Sequence, residues 1–256
     1  MHGLGNDFVV IDNMNGRIEL SAEQVIFLCN RFKGIGADGV ILVEKSDIAD
    51  CFMNYINADG SFAQMCGNGV RCTAKFLKDE TLKDKNNFSI ETRSGIKTIN
   101  YNEDDTYSVN MGKASFIHSD FPESFMRLYD LDLDFVSMGN PFAIMFVEDL
   151  KKYDVSFLGP LVENHKLFPN RMNLEIAQLI EPNVIKVNVW ERGCGPTLAC
   201  GTGACAVFAL AKKKKIIEQG LVVELPGGRL FIIENENGEI IMRGPAVSVF
   251  NSVIEI

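Results

Sequence analysis

Apolar and polar positions in this chain fall into short strand-like runs and longer helical patterns, and the same order of them occurs twice. Gly5-Asn6-Asp7-Phe8 opens an apolar run that ends at Asp12, and Gly139-Asn140-Pro141-Phe142 opens another that ends at Glu148. Short apolar runs bounded by turn residues predict strands. A helical pattern follows each. The first has Ser21 and Gln24 spaced as a capping box ahead of Val25, Ile26 and Leu28, and the second covers Ser156 to Asn164.

Further along, Met65-Cys66-Gly67-Asn68-Gly69-Val70-Arg71 matches Ala199-Cys200-Gly201-Thr202-Gly203-Ala204-Cys205, and each leads into a helical pattern. Val70, Ala74, Phe76 and Leu77 precede a polar end at Lys78 to Glu80, while the run Ala204 to Ala211 ends in lysines. The halves then close alike. Ser94-Gly95-Ile96-Lys97 and a hairpin to Val109-Asn110-Met111-Gly112 parallel Gly227-Gly228-Arg229-Leu230 and a hairpin to Ile241-Met242-Arg243-Gly244. Internal similarity in a fixed order argues for duplication. The expectation is an α+β protein of two similar lobes, residues 1–112 and 113–245, each built from short strands around one principal helix. Val247 to Ile256 alternates and is apolar, which predicts a last strand over 246–256 that could join the first lobe or return to the second.

Composition narrows what such a protein can do. With 256 residues, 46% of them hydrophobic, the chain can bury one large core or two modest ones. No run approaches the roughly 20 apolar residues that span a bilayer, and the first residues do not read as a signal peptide, so a cytoplasmic protein without a membrane partner is expected. A net charge of -9 argues against a nucleic-acid partner, because affinity for a phosphate backbone rests on clustered Lys and Arg. The one basic run, Lys212 to Lys215, reads as a helix C-terminus that complements the dipole. Seven cysteines suggest a reduced compartment in place of a disulfide framework, and their spacing suits no zinc site, so no metal is expected. There is no P-loop, no complete dinucleotide fingerprint and no Cys-x-x-Cys.

The two Cys-Gly-x-Gly turns carry the candidate chemistry. A cysteine immediately before a helix faces unsatisfied backbone N–H groups at the positive end of the dipole, which favours thiolate. The same N–H groups make an anion site for a carboxylate. Two sulfurs flanking one α-carbon could then remove a proton from one face and return another to the opposite face, a stereochemical inversion. Cys29, Cys51 and Cys205 read as small buried hydrophobes, and Cys72 and Cys194 have no counterpart in the other half.

His2-Gly3-Leu4-Gly5-Asn6-Asp7-Phe8, Asn57-Ala58-Asp59-Gly60 before Met65-Cys66-Gly67-Asn68-Gly69-Val70-Arg71-Cys72, and Trp190-Glu191-Arg192-Gly193 before Leu198-Ala199-Cys200-Gly201-Thr202-Gly203 closely resemble the diaminopimelate epimerase family. The resemblance spans essentially the whole chain. It implies a pseudo-symmetric pair of lobes, each a strongly curved mixed or antiparallel sheet wrapped around a central helix, with the active site in a cleft between them. It further implies no pyridoxal phosphate or other cofactor, an amino-acid substrate, and a homodimer. By similarity Cys66 and Cys200 form the acid/base pair, and the N–H groups of Gly67, Asn68, Gly201 and Thr202 hold the reacting carboxylate. Asn6, Asn57, Asn140, Asn173, Glu191 and Arg192 match positions that recognise the amino groups and the distal end. The implied reaction interconverts LL- and meso-diaminopimelate on the route to lysine and peptidoglycan precursors. Three positions depart from the family pattern: Phe142 stands where His is usual, Pro196 where Glu is usual, and Gly39 where many relatives carry Gln. They leave open a different amino-acid substrate, and a non-catalytic amino-acid-binding protein of the same fold is the reading from another class.

Overall fold

The capping box read at Ser21 is made: Ser21 Oγ accepts from the Gln24 N–H at 3.2 Å, and Gln24 Oε1 accepts from the Ser21 N–H at 2.9 Å. In the computed structural model, which describes residues 1–123 and 125–255, this cap starts the first helix of two compact units. The first unit comprises Met1–Asn110 and Arg243–Ile256, and the second Met111–Met242.

In the first unit the chain runs through β1 (His2–Gly3), β2 (Asn6–Asn13), α1 (Ala22–Cys29), β3 (Gly39–Glu44), β4 (Cys51–Asn57), α2 (Gly67–Phe76), β5 (Asn87–Thr92) and β6 (Gly95–Tyr101), and β7 (Thr106–Gly112) leads out of it into the second. From β2 to β6 each strand pairs with the next, and the pairings run parallel, antiparallel, parallel, antiparallel. The two parallel steps are the ones bridged by helices, as parallel pairing requires. Alternate residues of β3 face opposite helices. Val40 and Leu42 join Val25 and Leu28 of α1 in one cluster, each buried side chain contributing roughly 1.5–3 kcal/mol. Ile41, one step along, meets Gly69 of α2. From Gly67 to Ala74 every residue of α2 is buried, and the helix touches each strand from β1 to β6.

The second unit comprises β8 (Phe125–Leu128), β9 (Leu131–Ser137), β10 (Pro141–Phe146), α3 (Val155–Glu163), β11 (Asn173–Glu181), β12 (Val184–Glu191), β13 (Gly195–Thr197), α4 (Gly201–Lys213), β14 (Leu221–Leu225) and β15 (Gly228–Glu234); β16 (Ile240–Pro245) leads the chain back to the first unit. Its pairings β10/β11, β11/β12, β12/β14 and β14/β15 again run parallel, antiparallel, parallel, antiparallel. Ala143, Met145, Leu174 and Ile176 turn to one face and cluster with Val162 of α3. The opposite face receives α4, which touches β9, β10, β11, β14 and β15. Helix α3 covers the predicted segment as far as Glu163, with Asn164 as its C-cap, and starts at Asp154, whose side chain accepts from the Ser156 N–H. At the end of α4, Lys212 pairs with Glu234 and Lys214 with Asp134. No helix among the described residues is long and apolar enough to cross a membrane.

One expected element is absent. Segment 246–255 belongs to the first unit but is not a strand, and among the described residues its only ladder contact is a bridge from Val247 to His2. Strand β1 is two residues long, so the bridge has no edge along which to extend. The apolar alternation read there leaves Val249, Phe250 and Val253 exposed.

Candidate active site

In the first unit Cys66 is the N-cap of α2, with extended backbone (φ -140, ψ 120) and its carbonyl accepting from the Val70 N–H at 2.9 Å. Gly67 and Asn68 follow as the first helical residues, with backbone N–H groups that intrahelical bonding does not use. The Cys66 thiol donates to Asn6 Oδ1 at 3.5 Å, and Asn68 Nδ2 donates to the same oxygen at 3.1 Å. Asn6 Nδ2 donates to Asp38 Oδ2 at 2.7 Å, which fixes the orientation of the amide. Asn57, at the end of β4, spends its amide on Ser61 Oγ at 3.0 Å and lies outside this hydrogen-bonded group.

Arg71 supports the group from beneath. Its guanidinium is wholly buried and donates to Asn68 Oδ1 at 2.6 Å, to the Pro245 carbonyl at 3.1 Å and to the Gly67 carbonyl at 3.4 Å. The sequence reading passed over it. The available signal was a lone charge among small and apolar positions five residues after Cys66.

In the second unit Cys200 is the N-cap of α4 (φ -119, ψ 109) and is only 4% exposed. Its sulfur accepts from the Gly203 N–H at 3.3 Å and lies 3.5 Å from Thr202 Oγ1. Gly201 and Thr202 supply the first N–H groups of the helix. Glu191 ends β12 and accepts from Thr197 Oγ1 at 2.6 Å. Asn173 is buried and joins two segments: its Nδ2 donates to the Pro141 carbonyl at 2.6 Å, and its Oδ1 accepts from the Arg192 N–H at 3.0 Å. Arg192 also donates from Nη1 to the Asn170 carbonyl at 3.0 Å. Asn140 is half-buried in the turn made by Gly139, whose φ is +96.

A helix N-terminus was expected to draw Cys200 toward thiolate. In this structure burial pushes the thiol up, and the nearby Glu191 carboxyl pushes it further, as Glu175 would if it were ionised; the bonds from Thr202 and Gly203 pull it down by less. Desolvation outweighs the dipole because the sulfur is enclosed. Glu175 is a second residue that sequence reading missed, although a single acid within the apolar run Leu174-Glu175-Ile176-Ala177 was visible. Burial likewise pushes Cys51 and Cys72 up to about 12 and Cys29 up to about 11.

Comparison with known proteins adds the decisive observation: the family model for diaminopimelate epimerase matches residues 1–117 and 135–249. The chain belongs to the diaminopimelate epimerase family. A diaminopimelate epimerase from Methanococcus maripaludis is 40% identical over 278 residues, covering 100% of this chain and 98% of its own. One from Nitrosospira multiformis is 42% identical over 268 residues, covering 100% and 97%. Among solved structures, a phenazine biosynthesis protein of the PhzF family from Bacillus anthracis is similar with a TM-score of 0.69 at 20% identity, covering 99% of this chain and 95% of its own. A hydroxyproline epimerase from Agrobacterium vitis is similar with a TM-score of 0.66 at 14% identity, covering 95% and 86%. At those identities the likeness concerns the fold, which is the two-lobed α+β architecture expected.

The three departures from the family pattern have distinct settings. Phe142 is wholly buried on β10, in register with Val136 and Asn173. Pro196 is exposed on β13 opposite Trp190. Gly39 lies against the Tyr55 ring, where an added Cβ would sit 2.5 Å from Cε2 and 2.6 Å from the Ile56 carbonyl oxygen. A longer side chain at Gly39 would displace Tyr55, so glycine here is a packing requirement.

Proposed function

We propose that the protein interconverts LL- and meso-2,6-diaminopimelate by moving the α-proton between Cys66 and Cys200. Besides family membership, the observation that carries the reading is the repeated placement of a cysteine as N-cap of the buried central helix in each unit. One thiolate takes the α-hydrogen as a proton, and the C–H electron pair passes into the substrate carboxylate. The other thiol then gives its proton to the opposite face of the carbon. The next turnover starts with the protons exchanged, and no electrons leave the substrate, so no cofactor enters the scheme.

Backbone N–H groups of Gly67, Asn68, Gly201 and Thr202 hold the reacting carboxylate in this reading. Asn6, Asn57, Asn140, Asn173 and Glu191 serve the amino groups and their surroundings, and Arg192 the distal carboxylate. The enzyme would act in the cytoplasm as a homodimer, supplying lysine and peptidoglycan precursors. A second reading, epimerisation of another amino acid, is favoured by Phe142, an apolar ring where the family usually has His.

Solvent deuterium incorporation at the α-carbon tests both, with diaminopimelate isomers, lanthionine, proline and histidine in parallel. Exchange on diaminopimelate, lost in Cys66→Ala and Cys200→Ala variants that stay folded, is the expected result. Exchange on another amino acid alone would replace the first reading with the second. Intact turnover in either cysteine variant would overturn the two-base scheme.

A further inference from the structure

Glu175 is difficult to explain as a packing residue. It lies between Leu174 and Ile176, which turn toward α3, so the pleat sends it to the face that α4 covers. Its cross-strand neighbours Ile144 and Val189 are apolar. The residue is wholly buried, and among the described residues neither carboxyl oxygen has a hydrogen-bond partner. An apolar side chain would occupy such a place at no cost, whereas an ionised carboxylate without donors costs several kcal/mol.

The first turn of α4 is shaped around this carboxyl. A Cβ added at Gly203 would sit 1.9 Å from Glu175 Oε1 and 3.3 Å from Cys200 Sγ. Carboxyl oxygen and sulfur are therefore no farther apart than those two lengths laid end to end. The sulfur already has the Gly203 N–H and the Thr202 hydroxyl beside it, so a negative charge placed there meets donors. On Glu175 the same charge meets none. Of the titratable groups facing this pocket, Glu191 from β12 opposes an anion on Glu175, and Cys200 from α4 would do so once ionised.

We propose that Glu175 is a positioning residue for Cys200: it remains a neutral carboxylic acid, and its O–H turns to the sulfur when Cys200 releases its proton. While Cys200 is a thiol that O–H has no strong acceptor, and when Cys200 is a thiolate it has one. Such a difference between the two states is what favours thiolate formation. Burial, with the Glu191 charge second, holds the Glu175 carboxyl well above the ordinary carboxylate range, in keeping with this role.

The inference rests on the reading of Cys200 as an acid/base group, and its test needs no substrate. The rate of Cys200 alkylation by iodoacetamide is followed against pH by peptide mass spectrometry in the full chain, for the wild type, Glu175→Gln and Glu175→Leu. Gln is neutral and keeps a donor, so its rate near neutral pH stays within about threefold of wild type. Leu keeps the packing but has no donor, so Cys200 reacts about tenfold more slowly near neutral pH and converges with wild type at alkaline pH, which separates ionisation from access. Infrared spectra of the wild type at neutral pH should contain a carboxylic-acid C=O band that Glu175→Gln lacks. Faster alkylation in Glu175→Gln would mean that Glu175 is an anion, and an unchanged pH profile in both variants would mean that it does not act on the sulfur; either result, or a missing band, overturns the proposal. Should Glu175→Leu fail to fold, Glu175→Met, which also has no donor, takes its place with the same expected slowing at neutral pH. Failure of diaminopimelate turnover with an intact Cys200 response would count against the substrate and leave this inference standing.

Discussion

Replacing Glu175 by Gln should remove a pH-dependent loss of stability that the wild type carries. The carboxyl is wholly buried and, in this structure, burial and the neighbouring Glu191 raise it well above its ordinary value of 4.5. A group raised in this way keeps its proton in the folded chain and loses it in the unfolded one. Its stabilising contribution is therefore complete below about pH 4.5 and declines as pH rises, until the folded-state value is reached. The slope is about 1.4 kcal/mol per pH unit for one proton. Between pH 5.5 and 7.5 the wild type should lose stability relative to Glu175→Gln, a variant with no proton to release, along that slope for as long as the folded carboxyl keeps its proton. Cys200, itself raised above 9.0, stays neutral in both states across that window and cancels. Urea unfolding at 25 °C, followed by tryptophan fluorescence, is the assay. Trp190 is the only tryptophan, and it lies on β12 opposite Leu174 of β11, so its signal reports the unit that holds Glu175. A difference between the two proteins that stays constant with pH would refute the reasoning, and a difference of opposite sign would mean that the folded chain stabilises the carboxylate.

Three further outcomes follow from the geometry. Gly203→Ala should cost about 1–3 kcal/mol by driving a methyl into the Glu175 carboxyl, and adding Glu175→Ala should restore more than 1 kcal/mol of it in a double-mutant cycle read by urea unfolding. Arg71→Met should destabilise the chain by at least about 3 kcal/mol, because it strips donors from the Pro245 carbonyl and Asn68 inside the protein; a thermal unfolding midpoint within a degree of wild type would contradict this. At pH 7.5 iodoacetamide should modify half-exposed Cys66 well before Cys200, with Cys51 and Cys72 unreacted, and peptide mass spectrometry reporting the reverse order would sink the assignment of relative access.

What could be read from sequence was whatever repeats locally. The Ser21 cap, the strand opened by Asn6, the α3 segment and the two cysteine N-caps all depend on neighbours within a few residues, and the duplication let each half support the reading of the other. Segment 246–255 failed for the converse reason. Its alternation is a property of the segment, but a strand also needs a partner edge, and the two-residue β1 offers a single bridge. Arg71 and Glu175 were missed because their meaning is three-dimensional: each is an ordinary charged residue until the helix or sheet around it closes and excludes water. The cost of Gly39→Gln was equally hidden, since the ring that forbids it comes from the neighbouring strand.

Duplication makes the two cysteines look interchangeable, yet two-base inversion requires them to differ at every moment, one ionised and one protonated. Their surroundings supply the difference. Cys66 is half-exposed and points its thiol at the Asn6 amide, whereas Cys200 is enclosed, with the Glu191 carboxyl opposing a charge on it. On the proposed function, Cys200 is therefore the sulfur that waits with its proton, because desolvation there opposes what the helix N-terminus favours. A bell-shaped pH dependence of turnover follows, because the rising limb must ionise one thiol while the falling limb removes the proton from the other. If Glu175 acts as inferred, substituting Leu moves the step belonging to Cys200 and leaves the other in place, which separates the two sulfurs kinetically where the repeated sequence could not.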